Sequence, residues 1–225
     1  MEDLEIFVIT NGRKTFEFTM KSLENQTQKR KITVIRDMKW VNALNKCIDL
    51  CESEFFLRID DDMAIHQFAI AYYINRTIRV RKSKTGVYVC KLWEDWSNKP
   101  AGGLRMYRHD ITSKIRFRPS KLGKVDKVFR DDLQRRRWKQ TKDKSILGLH
   151  MLGSIEDQQK YRKLWRDKNA SISRKAFGDT FDNKIHPVDQ SLTKQFRVLK
   201  KIRRLNKKYD TKFLRFMLSQ RQENA

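Results

Sequence analysis

The sequence has little of what builds a cross-linked or membrane-spanning protein. Only three cysteines occur in 225 residues, Cys47, Cys51 and Cys90. So odd and sparse a set offers neither a disulfide framework nor a metal-binding pair, and a reduced, cytoplasmic setting is the expectation. No stretch approaches the ~18 consecutive apolar residues of a membrane-spanning helix, and the acidic start MEDLEIFVIT predicts no signal peptide. Internal repeats and low-complexity tracts are lacking too. What is present, 39% hydrophobic and 11% aromatic residues, suffices for a core at this length and excludes wholesale disorder.

Acidic residues are scarce in one part of the chain only. The formal net charge is +24, from 51 Lys+Arg against 27 Asp+Glu, which invites a nucleic-acid reading. Residues 1–62, however, hold 10 basic and 12 acidic residues, net −2, while residues 63–225 hold 41 and 15, net +26. A protein that coats nucleic acid along its whole length has no reason to spare its first quarter, so the two parts face different tasks.

In that first quarter, apolar runs alternate with helical spacing. Residues 4–9 (LEIFVI) read as a buried strand breaking at Thr10-Asn11-Gly12, and Phe16, Met20 and Leu23 then recur at helical spacing. Residues 31–36 (KITVIR) give a second strand ending at Asp37. Leu44, Ile48 and Cys51 mark a second helix from Val41, and residues 55–59 (FFLRI) give a third strand running into Asp60-Asp61-Asp62. Strand, helix, strand, helix, strand is the pattern of an α/β fold with a parallel sheet, whose ligands gather at the carboxyl ends of the strands. Beyond it, residues 68–80 look helical, 86–92 and 104–109 strand-like with a Pro-Gly-Gly loop between, 112–144 a mixture of loop and short helix, and 145–150 strand-like. From Thr193, Val198, Ile202, Leu205, Tyr209, Phe213 and Phe216 form one apolar helical stripe within residues 190–225, which carry net +9.

The acidic triplet is the sharpest local feature. At a strand end Asp60 and Asp62 point to one side and Asp61 away, so two carboxylates can share a Mg2+ or Mn2+ ion that keeps positions for water and phosphates. A solvated turn with one Asp capping the next helix is the competing explanation, although a cap needs only one carboxylate.

The runs VITNGRKTFEFTMKSLENQT, ITVIRD and NALNKCIDLCESEFFLRIDDDM together resemble the nucleotide-binding half of a GT-A-type glycosyltransferase, most like glycosyltransferase family 2, over residues 4–63. The resemblance implies a GT-A (Rossmann-like) mixed, mostly parallel sheet flanked by helices. It also implies a catalytic domain over 1–189, with 1–63 its nucleotide-binding half and 64–189 its acceptor half, followed by a basic amphipathic helical tail over 190–225. Donor contacts would fall to Thr10, Asn11, Arg13, Asp37, Asn45, Asp60 and Asp61, and the metal to Asp60 and Asp62. His150, after the apolar run ILGL, stands where such enzymes have a third metal ligand, and equally reads as a hydrogen-bonded strand-end histidine. A catalytic base would come from Asp126, Asp131 or Asp132, each of which could instead neutralise nearby Lys and Arg. No clean Glu-Asp motif marks the position. Trp93 and Trp96, flanking Glu94 and Asp95 in an expected loop, could stack on an acceptor sugar, although core packing is the commoner fate of Trp.

Three functions follow as expectations. The first is a metal-dependent glycosyltransferase using a UDP- or GDP-linked donor, with an anionic acceptor, lipid-linked or polymeric, or an anionic membrane surface as partner. The second is a metal-dependent nucleic-acid enzyme or binder using the Asp60–Asp62 carboxylates. The third is a non-catalytic GT-A-like membrane adaptor. The tail reads three ways, as a helix packed on the domain, a peripheral membrane anchor or a grip on nucleic acid.

Overall fold

Each of the first three apolar runs becomes a strand of one sheet: β1 (Leu4–Thr10), β2 (Ile32–Arg36) and β3 (Phe55–Asp60), joined by crossover helices α1 (Phe16–Glu24) and α2 (Trp40–Leu50). This computed structural model describes residues 3–13, 15–94, 99–120, 125–150, 202–207, 212–213 and 216. All seven residues of β1 are buried, which is why its sequence shows a continuous apolar run rather than alternation. The chain continues through β4 (Met63–Ile65), α3 (Ala69–Arg81), β5 (Thr85–Glu94), β6 (Lys99–Arg108), α4 (His109–Ile115), α5 (Val125–Arg135) and β7 (Lys139–His150). The seven strands lie in the order β2-β1-β3-β6-β5-β7-β4. β1, β2, β3, β5 and β7 run one way, and β6 and β4 run against them.

Helices cover both faces. α1 and α3 close one core with Phe18, Leu23, Tyr72 and Tyr73, and α2, α4 and α5 close the other with Leu44, Ile48, Ile111 and Phe129. The C-terminal stripe belongs to the first core. Ile202 and Phe213 are fully buried there, and the Asn206 amide grips the backbone of Ile146 on β7, accepting from the Ile146 N–H (3.0 Å) and donating to its carbonyl (2.7 Å). Phe213 lies edge-on to Tyr72 and to the buried His66. The described part of the stripe is therefore packed on the domain and presents no apolar face to a membrane; Val198, Tyr209 and the 189/190 boundary lie outside the described residues. Among the described residues no helix is long and apolar enough to cross a membrane.

Three expectations need correction. The Pro-Gly-Gly stretch is strand, not loop: Pro100 to Gly103 open β6 and pair with β5, where Gly103 leaves room for Leu92. Residues 112–144 do contain helix, the end of α4 and all of α5, but also the first half of β7, which was expected only from 145. The three-residue β4 was not foreseen, and pairs antiparallel with the end of β7. That pairing depends on Gly148, where a Cβ would come within 2.3 Å of the Ala64 carbonyl oxygen and 2.9 Å of the Ile65 Cα. Both obstacles are backbone and cannot rotate away. Gly148→Ala is therefore expected to push β4 off β7 and cost about 1–3 kcal/mol, read as a lower urea midpoint at unchanged slope.

Candidate functional site

The carboxyl ends of β1, β2 and β3 bring the predicted polar clusters to one rim. Asp61 turns back toward β1, accepting hydrogen bonds from the Thr10 hydroxyl (2.7 Å) and the Asn11 backbone N–H (3.1 Å), while Thr10 Oγ1 accepts one from the Gly12 N–H (2.9 Å). Gly12 adopts φ +76°, the left-handed region that suits glycine. Thr10 and Asp61 are both buried, so they lock the β1 and β3 ends together rather than facing a ligand. Asp37, exposed at the end of β2 with φ 55°, and Asn11 remain open to solvent.

Asp60 and Asp62 are the two carboxylates over the rim. Arg13, itself half-exposed, donates to Asp62 Oδ2, and His150 Nε2 lies 3.4 Å from Asp62 Oδ1. Asp60 Oδ1 is 3.2 Å from Arg58 Nε, in an ion pair without hydrogen-bond alignment. Oδ1 of both aspartates is buried with no hydrogen-bond partner. Burial raises the Asp60 carboxyl above its ordinary range despite Arg58, whereas for Asp62 the burial penalty is outweighed by His150 and Arg13, which hold it low. For His150, burial is overcome by Asp62 and by Glu94 at 3.5 Å, and its pKa rises to about 10. The imidazolium thus bridges two carboxylates.

Beneath the rim lies a cavity of about 210 Å³, lined by Trp40, Arg58, Asp60, Met63, Leu92, Glu94, Ala101, Gly102, Gly103, Arg105, Asp126 and His150. It sits at the carboxyl ends of β3, β5 and β7, where an open α/β sheet presents its ligand site. Arg58 is its fixed point: fully buried on β3, it pairs with Asp60 and with Asp126 (3.2 Å) and lies under the Trp40 ring, 5.0 Å from the centroid. Arg105 pairs with the other Asp126 oxygen at 2.8 Å. Burial alone would raise the Asp126 carboxyl, but the two guanidiniums prevail and lower it.

Of the three candidate bases, Asp126 alone lines this cavity. Asp132 is bound by Arg118 and Arg135, and Asp131 by Lys127, on the outer side of α5, whose inner side is taken by Val125, Phe129 and Leu133. Asn45 is also placed elsewhere, since both ends of its amide hold the Phe117 backbone (3.0 and 2.8 Å). Trp93 is not an exposed indole in a loop but a β5 residue, 6% exposed, in the core; Trp96 and Asp95 lie outside the described residues. Among the described residues, no group of three or more His, Cys, Asp or Glu side chains is drawn together tightly enough to hold a metal unaided. Sequence reasoning missed Arg58, Arg105 and Trp40. The signal for Arg58 was a charge inside the apolar run FFLRI, two residues before Asp60 and therefore on the same side of the strand.

The fold is of the GT-A type. Its likeness is to the mannosyltransferase PcManGT from Pyrobaculum calidifontis, solved in complex with GDP-Man and Mn2+, at a TM-score of 0.56 and 12% identity, over 75% of this chain and 61% of that one. Looser similarities are to S. aureus TarS 1-349 (TM-score 0.49, 13% identity, 91% of this chain and 83% of that one) and to a putative glucose-1-phosphate thymidylyltransferase from Bacillus anthracis (0.46, 14%, 79% and 98%). No protein-family model matches the sequence, and no curated protein matches it either. The chain spans 61% of the length of the mannosyltransferase structure.

Proposed function

We propose that this chain is a divalent-metal-dependent glycosyltransferase that moves a sugar from a UDP- or GDP-linked donor to an acceptor hydroxyl. The observation that carries the reading is the pair of Asp60 and Asp62 carboxylates, each with a buried Oδ1 that makes no hydrogen bond, on the strand-end rim of a GT-A-type sheet where Asp60 lines a cavity. Two carboxylates with free lone pairs are the donor set from which Mg2+ or Mn2+ takes part of its shell, the rest coming from water and substrate phosphates. The ion, when bound, supplies charge that stabilises the diphosphate as the bond to the sugar breaks.

The protein's own groups have defined parts in this reading. Asp60 and Asp62 would hold the ion, and His150, which lies against Asp62 and Glu94, could add a third ligand in its neutral form. Arg13, whose side chain is 48% exposed, can leave Asp62 and swing to the diphosphate without a desolvation cost. Asn11 and Asp37 face the nucleoside at the solvent-open end, and the cavity takes the sugar between Trp40 and the Ala101 to Gly103 wall. Asp126 is the base of choice among the three aspartates, because only it can reach the cavity; it must first loosen from Arg58 or Arg105 to accept a proton. The test is a panel of UDP- and GDP-sugars incubated with the protein and Mn2+, with released nucleoside diphosphate quantified. Turnover of one donor that stops on chelation is the expected result; release that is absent for every donor, or unchanged by chelation, overturns the reading.

A further inference from the structure

At the end of the sheet opposite the cavity, cationic side chains collect without ion-pair partners among the described residues. The turn from α5 into β7 carries exposed Arg136, Arg137 and Lys139, and the Lys139 N–H donates to the Lys84 carbonyl (2.8 Å), which places the exposed end of α3 beside it. Lys142 and Lys144 continue the row along β7. Asn206 and Phe213, bonded to Ile146 and Ser145, then bring exposed Arg203, Arg204 and Lys207 alongside. None of these has an ion-pair partner among the described residues. The acids nearby are engaged elsewhere: Glu54 with Arg81, Asp132 with Arg118 and Arg135, and Asp143, buried, with Tyr72 and Tyr88. Cations at a helix C-terminus answer the helix dipole, but most of these lie on a turn, a strand or beyond the helix end.

We infer that this surface binds the phosphate backbone of double-stranded nucleic acid, independently of what the cavity does. Charge without an apolar face is the footprint of phosphate binding. A membrane surface would favour an amphipathic face, but the tail's described apolar residues are closed into the core, and among the described residues Ile78 on α3 is the large exposed hydrophobic nearest in sequence to Lys84. Single strands are commonly held by stacking on exposed aromatics; here Trp138 is half-buried beneath Arg108, and Tyr72 and Tyr88 are buried. Recognition is therefore of phosphates and carries no sequence preference.

The experiment measures anisotropy of a labelled 20-base-pair duplex against the full chain over a salt series. Arg136→Glu, Arg137→Glu and Lys139→Glu together are expected to weaken binding at least about tenfold and to flatten the log–log salt slope by about 3, at roughly 0.9 for each phosphate no longer neutralised. Lys21→Glu, Lys29→Glu and Lys46→Glu, with the same change in net charge on other elements, should leave the slope unchanged. If the first triple lowers the melting temperature, Lys142→Glu with Lys144→Glu replaces it, with a slope change of about 2 expected. Equal losses in patch and control variants overturn the assignment, as does binding to phosphatidylserine vesicles that exceeds duplex binding and falls with Ile78→Ser.

Discussion

Asp62→Asn is expected to reduce sugar transfer by at least about a thousandfold while leaving the protein folded, because the loss falls on charge stabilisation of the departing diphosphate. The asparagine keeps the size of the side chain and can still accept from Arg13. It removes the negative charge that, with Asp60, would hold the ion. Turnover and melting temperature measured on the same preparation separate the two effects: a collapse of stability instead of activity would mean that Asp62 serves mainly to balance Arg13 and His150. Asp61→Asn provides the contrast. Its Oδ2 accepts from Thr10 and Asn11, and an amide oxygen can take the same bonds, so the fall in activity should be far smaller.

Arg58→Met is expected to cost about 3–5 kcal/mol of folding stability, since it strips the compensating charge from two carboxylates at once. Methionine fills much of the stem's volume, so the loss is electrostatic rather than a cavity effect. In a chain of this size that corresponds to a melting temperature lower by roughly 6–20 °C. Arg58→Met with Asp126→Asn should recover part of the loss, because one of the stranded charges is then gone. A single variant within about 1 kcal/mol of the parent would contradict the view that Arg58 organises the cavity.

Residues 4–63 were legible because β1 and β3 are buried on both faces and α1 and α2 each carry one apolar stripe, so periodicity and element length agree. The downstream half was harder for specific reasons. β6 holds Pro100, Gly102 and Gly103 near its start, residues that signal a turn, yet these pair with β5, and Leu92 occupies the space a Cβ at Gly103 would take. β4 is three residues long and is held by a partner 83 to 87 positions away. Candidate site residues at strand ends, Asn11, Arg13, Asp37, Asp60 and Asp62, do gather at one rim. Those placed by resemblance alone fared less evenly, as Asn45 shows, because an amide in the right register can as well tie down a neighbouring loop. Arg58, Arg105 and Asp126 form one unit from β3, β6 and α5, a juxtaposition that exists only once the sheet order is known. The apolar stripe of the tail was visible in sequence, but what it docks on was not: the Tyr72 ring on α3 lies some 140 positions before Phe213, and the β7 backbone that holds the neighbouring Asn206 lies 60 positions before it.

The charge imbalance also gains a location. From sequence, the positive excess belongs to the acceptor side in general, whereas the described residues concentrate an unpaired share of it at the end of β7 remote from the rim. The proposed cation binding at the rim and anion binding at the far end would thus be separate properties of one sheet, and variants of one should leave the other intact.

The rim is expected to bind a nucleoside diphosphate through a divalent ion. Calorimetric titration of UDP and GDP into the full chain, with Mn2+ and again with chelator, decides it. The prediction is single-site binding of one of the two nucleotides that requires Mn2+ and is lost in Asp62→Asn. Binding of equal strength in chelator and in that variant, or no binding of either nucleotide with Mn2+ present, would contradict it.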